Sequence, residues 1–134
     1  MFFYSKPAAG GGLVYVPRGF NSGSPSNGDF NKADFTIDGA YHLLDLSAIV
    51  PVDAKLVHFV CYLTNTTFGA FRLQQWNVAN RNEFTMNPQV AGKQAGFTCL
   101  SQLRDAINQD IYYKADGAEG NWSQITVSVS GWFV

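Results

Sequence analysis

Polar and apolar residues alternate most regularly at the end of the chain. In residues 124–134, Ile125, Val127 and Val129 take every second position, with Thr126, Ser128 and Ser130 between them. That period of two predicts a strand with one face in a core and the other toward water. Its β-branched residues suit a pleated, half-buried surface. Gly131 then interrupts the alternation and predicts a bend or bulge, which frees Trp132 from the phase set by Ile125. The stretch closes on Trp132-Phe133-Val134, an apolar end expected to pack, preferentially against another subunit.

Residues 55–63 are the most apolar stretch. Leu56, His58, Val60 and Tyr62 fall on one face and Val57, Phe59, Cys61 and Leu63 on the other, which predicts a central strand. Shorter strands are predicted over 33–37, ending at a hairpin or turn at Asp38-Gly39, and over 41–46, 70–76 and 110–114. Residues 47–53 are compatible with a short helical turn stopped by Pro51. Residues 65–69 and 77–87 read as loops. Residues 89–100 read as a strand bent or bulged at Gly92 and Gly96, continuing into a further short strand at 102–105. Seven to nine short strands with turn signals and no long helix predict an all-β fold. The expected form is an antiparallel β-sandwich of immunoglobulin-like or jelly-roll type, the jelly roll preferred, with a barrel as the alternative.

Residues 1–32 differ from this sandwich domain of residues 33–134. Gly10-Gly11-Gly12, Pro7, Pro17, Pro25 and the polar run 21–28 are turn and linker chemistry. Phe2, Phe3, Tyr4, Tyr15, Phe20 and Phe30 lie among them, whereas disordered tails are poor in aromatics. The expectation is an extended arm that docks its aromatics on its own domain or on a neighbouring subunit. A first strand at 13–16 is compatible with it.

Composition narrows the partners. The 134 residues suffice for one domain with a real core. Charged residues make up 14% of them, against a usual share of about a quarter. A net charge of −1 gives no field to attract nucleic acid or anionic lipid. No apolar run approaches the roughly 20 residues of a membrane helix. The first residues place apolar groups before the charge, opposite to a secretory signal, so a cytoplasmic site of synthesis and assembly is expected. Cys61 and Cys99 sit in apolar contexts and are expected to be buried free thiols. Two isolated Cys and two isolated His make no zinc motif, so no metal or cofactor is expected.

Catalytic patterns are missing. His42 and Asp45 would point to opposite faces of a strand, and His58 reads as a hydrogen-bonded core histidine of an apolar strand. There is no Gly-x-Ser-x-Gly elbow, no Cys-His pair, no clustered carboxylate pair and no phosphate loop around Gly10-Gly11-Gly12. An enzyme is not expected. Asn65-Thr66-Thr67 and Asn121-Trp122-Ser123 match the glycosylation sequon, which carries no weight without a secretory signal. Trp76 and Trp122 could stack on sugar rings, although core or interface packing is the commoner use of tryptophan.

From Asp38-Gly39-Ala40-Tyr41-His42-Leu43-Leu44-Asp45-Leu46-Ser47-Ala48-Ile49-Val50-Pro51, through Gly69-Ala70-Phe71-Arg72-Leu73, to the closing Val129-Ser130-Gly131-Trp132, the chain resembles β-sandwich domains of tailed-phage virion proteins. These occur in tail-fibre tips and in capsid or tail appendages. The resemblance covers about the last hundred residues and carries no catalytic residues. It implies a structural virion protein, such as a head-decoration (cement) protein or an appendage. Such a protein would be a homo-oligomer, commonly a trimer, docking on capsid or tail subunits, with Phe2, Phe3, Tyr4, Tyr15, Phe20, Trp132 and Phe133 at the contacts. The shaft repeats of a fibre are missing from this sequence. The alternative is a receptor-reading module at a fibre or spike tip that binds host-surface glycan through Trp76 and Trp122.

Overall fold

The computed structural model describes residues 12–18, 28–78, 83–105 and 107–134. The arm residues Phe2, Phe3, Tyr4 and Phe20 lie outside them. The described chain is an antiparallel β-sandwich of eight strands: β1 (Tyr15–Pro17), β2 (His42–Asp45), β3 (Leu56–Asn65), β4 (Phe71–Gln74), β5 (Glu83–Met86), β6 (Ala95–Ser101), β7 (Asp110–Ala115) and β8 (Trp122–Phe133). The front sheet runs β1-β8-β3-β6 and the back sheet β2-β7-β4-β5. The pairing is nested: first strand with last, β2 with β7, β3 with β6, and β4 with β5. Contacts of β3 with β8 and of β4 with β7 join these pairs into two sheets. Among the described residues the only helical segments are two 3-10 turns, Lys32–Asp34 and Glu119–Asn121. None is long and apolar enough to cross a membrane.

The two long strands carry the core because their alternation is longest. Val57, Phe59, Cys61 and Leu63 of β3 and Ile125, Val127 and Val129 of β8 are buried. Phe71 and Leu73 of β4 and Ile111, Tyr113 and Ala115 of β7 belong to the same cluster. β3 is interior to its sheet, as expected from apolar residues on both faces.

The irregularity expected near Gly131 is present. Phe59 pairs with Val129 and His58 with Gly131, so Ser130 is an extra residue in β8. A one-residue insertion shifts every later side chain to the opposite face. Trp132 therefore falls opposite the inward-facing Val57 and packs against the core. Phe133 falls opposite Leu56 on the outer face.

Several local expectations are corrected. Residues 33–37 are not a strand. The Asn31 backbone N–H donates to the Asp34 carboxylate (2.8 Å) and starts the 3-10 turn. Phe35 then drops into the core edge-on to Phe71 and Tyr113, with centroids 5.3 and 4.9 Å away. Asp38-Gly39 consequently leads into β2 rather than closing a hairpin. Residues 77–87, read as a loop, contain β5, in which the buried Met86 pairs with Phe71 and the exposed Phe84 with Leu73. Residues 102–105 are not a strand, because the chain turns there to pair the Arg104 N–H with the Asp110 carbonyl (2.8 Å). Gly96 makes no bulge and pairs in register with Tyr62. A Cβ on it would lie 3.3 Å from the Tyr62 ring, so its lack of a side chain makes room for that ring.

The outer face of β8 is not uniformly wet either: Thr126 and Ser128 are buried. Gly28, at a positive φ of 58°, passes so close that a Cβ there would lie 2.5 Å from Thr126 Cγ2. Next to Gly28, Asp29 and Phe30 both donate backbone N–H groups to the Val127 carbonyl. Residues 14–18 and 28–30 thus line the β8 edge that β3 leaves open. This part of the expected arm, with Tyr15 on β1, is built into the sandwich.

Candidate functional site

Charge is partitioned between the two sheets. None of the residues in β1, β8, β3 and β6 is Asp, Glu, Lys or Arg. The shorter strands of the back sheet carry Asp45, Arg72, Glu83, Asp110 and Lys114. Arg72, Glu83 and Asp110 are ion-paired, whereas Asp45 accepts from the Ser47 N–H (2.8 Å). Arg72 binds Asp116 (2.6 Å) and Glu83 (3.2 Å), and the Asp116 hydrogen bond leads in holding its guanidinium above the ordinary value. Arg104 grips both oxygens of Asp110 at 2.7 and 2.8 Å. Lys114 sits 5.0 Å over the Tyr41 ring. The back sheet is a charged, partly ion-paired surface, and the front sheet has the composition of a contact face.

On the outer side of the front sheet, strand register sets Tyr15, Phe133 and Leu56 side by side in one row. The next row holds Gly131, His58 and Leu100, and Val60 with Thr98 and Tyr62 with Gly96 follow. Tyr15 and Phe133 pack ring to ring at 5.1 Å. His58 Nδ1 is hydrogen-bonded to the hydroxyl of Ser130, the extra residue of the bulge. His58 is therefore hydrogen-bonded as expected, but it lies half-exposed on the outer face rather than in the core, because the inward positions of β3 go to Val57 and Phe59. His42 takes a partner that spacing did not suggest: its Nε2 meets Asp38 at 2.8 Å rather than Asp45. That hydrogen bond leads in lowering the Asp38 pKa.

The three tryptophans separate. Trp122 is 1% exposed and its indole N–H donates to the Asp116 carbonyl (2.9 Å). It is a core residue, so the glycan-stacking role suggested for it is withdrawn. Trp132 is half-buried against the core. Trp76 is 44% exposed. It stands on residues 75–78, a bend folded over the wholly buried Gln74, whose amide N–H groups donate to the Trp76 and Val78 carbonyls. Sequence reading missed Gln74, since a glutamine in a strand gives no sign of being buried.

Two hollows lie near one another. One, of about 280 Å³, is lined by Leu56, Phe84, Leu100, Ser101, Gln102 and Glu83. The second, of about 210 Å³, is mostly polar and includes Asp53, Lys55, Gln75 and Asp105. Among the described residues no three His, Cys, Asp or Glu side chains gather to hold a metal ion. Cys61 and Cys99 are buried and unbridged. Burial pushes the Cys99 thiol up to about 12 and raises Cys61 still further. Asn65 is wholly buried, and its Oδ1 accepts from the Thr67 and Gly69 N–H groups (2.7 and 3.1 Å), which removes the first sequon as a glycan acceptor. Comparison with protein-family models, with curated proteins and with solved structures returned no match to the chain.

Proposed function

We propose that the chain is a structural subunit of a tailed-phage particle, a decoration or appendage protein that self-associates and docks on capsid or tail subunits. The observation that carries this reading is the uncharged front sheet, with the Tyr15–Phe133 pair and Leu56 on its outer face. The nested pairing of eight strands is the order expected of a jelly roll, a fold that recurs in viral capsid domains and in lectins, and it supports the same reading. A surface without charge is suited to lasting contact with other uncharged protein, because no ion has to be desolvated.

An antibody against the purified chain, applied to particles of the parent virus, tests this. Labelling of head or tail is expected, and recovery only from the particle-free fraction would overturn it. The truncation that isolates the arm's part stops at residue 11, since removing residues 1–32 would also take away β1 and Phe30.

A second reading rests on Trp76 alone. An exposed indole is a stacking platform for a sugar ring, and nested strand pairing also occurs in lectins. Binding on a glycan array that disappears with Trp76→Ala would favour it; an array with no signal removes it.

A further inference from the structure

Sandwiches keep their sheet edges from pairing with other chains by shortness, proline, charge or bulges. Three of the four edges here do so. β1 is three residues long and ends in Pro17. β2 is four residues and ends in Asp45. β5 is four residues and begins with Glu83. β6 uses none of these devices. Its seven residues, Ala-Gly-Phe-Thr-Cys-Leu-Ser, hold no charge and no proline, and they pair with β3 in unbroken register from Val57–Ser101 to Leu63–Ala95. Among the described residues no strand pairs with its other side. Leu100 stands beside that edge 41% exposed, over the hollow it shares with Leu56 and Phe84.

We infer that β6 is the self-association edge: two copies of the chain pair their β6 strands antiparallel about a two-fold axis through Thr98, joining two front sheets into one. The occupant is identified by self-complementarity. A two-fold contact sets each residue against a residue of the same segment, so any charge at its centre would meet its like. β6 has none. With Thr98 opposite its own copy, register sets Leu100 opposite Gly96 on the outer face and Phe97 opposite Cys99 on the inner face. Each large side chain thus meets a small one, and paired threonines are a favourable cross-strand combination. β2 and β5, offered the same partner, would place Asp45 or Glu83 against an uncharged strand. The cations that flank β6 are Lys93, which the same register sets opposite Leu103, and Arg104, which Asp110 already engages.

This inference deepens the proposed self-association and specifies a dimer in place of the trimer implied by the resemblance. The full chain is sized by light scattering or sedimentation at high micromolar concentration. A dimer is expected, and Thr98→Lys, which sets two cations face to face at an exposed position, should halve the mass with the circular dichroism spectrum retained. Thr98→Cys should form a covalent dimer under mild oxidation, and Thr85→Cys on the β5 edge should not. A monomeric or trimeric wild-type chain, a dimer indifferent to Thr98→Lys, or cross-linking no faster at 98 than at 85 overturns the inference. Particle labelling that persists with a monomeric chain would remove the dimer and leave the docking role standing.

Discussion

The hydroxyl end of the Tyr15 ring lies against Gly131. Its hydroxyl donates to the Ser130 carbonyl (3.2 Å), and a Cβ built on Gly131 would come within 2.5 Å of Tyr15 Cζ. Gly131 is therefore required by a close approach rather than by an unusual backbone angle. Gly131→Ala should cost about 1–3 kcal/mol, the usual range for overpacking. In Tyr15→Ala the same substitution should cost less, though not nothing, because the ring contact is gone while the Val16 carbonyl oxygen stays 2.7 Å from the new Cβ. Urea unfolding of the four chains of this cycle measures the coupling, and additive effects would refute the contact.

Asp29 holds the edge of β8 together. Its carboxylate accepts from the Val129 N–H (2.7 Å) and from Arg18, which also donates to the Val129 carbonyl (3.2 Å). Asp29→Ala strands a backbone N–H and a largely covered guanidinium, so a loss of about 1–3 kcal/mol is expected. Asp29→Asn keeps an acceptor for Val129 and should lose less. Hydrogen exchange at the Val129 amide should accelerate in Asp29→Ala and only slightly in Asp29→Asn.

Trp122 and Trp76 should respond oppositely. Trp122→Ala empties the core next to Phe71, whose ring is 6.5 Å away, and should cost about 3–5 kcal/mol. Trp76→Ala should change stability by no more than about 0.5 kcal/mol. Gln74→Leu removes the two amide donors under residues 75–78 while filling the buried site. It should leave the core folded but free the Trp76 indole, seen as a fall in its fluorescence anisotropy in a chain with Trp122 and Trp132 replaced by Phe.

Alkaline stability should depend on the buried thiols. The Cys99 thiol ionises near its ordinary value of 9.0 in the unfolded chain and only at about 12 when folded. A raised folded value means the contribution is complete below pH 9 and declines as pH rises toward 12. The same sign holds for Cys61. Wild type should therefore lose stability across that window faster than Cys99→Ala, whose lost thiol removes one titration from the difference. Thiol reagents at pH 8 should react with the native chain slowly and with the unfolded chain at once.

The exposed carboxylates Asp38, Asp45 and Asp105 are lowered, the leading causes being hydrogen bonds from His42, Ser47 and Asn108. Their small stabilisation is present above the unfolded value of 3.8 and is lost as pH falls through the lower folded values. NMR titration of the three side chains should give midpoints below 3.8.

The sequence by itself determined the fold class and the two long strands. Residues 124–130 alternate over enough positions to show the core face, residues 55–63 are apolar on both faces and so read as a central strand, and Gly131 marks the break before Trp132. It also held, unread, the absence of charge in those strands. Local pattern failed at Phe35, where buried contacts with Phe71 and Tyr113 outweighed strand propensity, and at β5, where the single buried residue, Met86, lies among polar neighbours. Only the tertiary structure decided which strands share a sheet, because nested pairing joins residues more than a hundred positions apart, such as Tyr15 with Phe133. That pairing gathers the uncharged strands on one side, buries Trp122, leaves Trp76 exposed, and sets β6 at an edge. No local signal could supply these placements, since each depends on which distant strand becomes the neighbour.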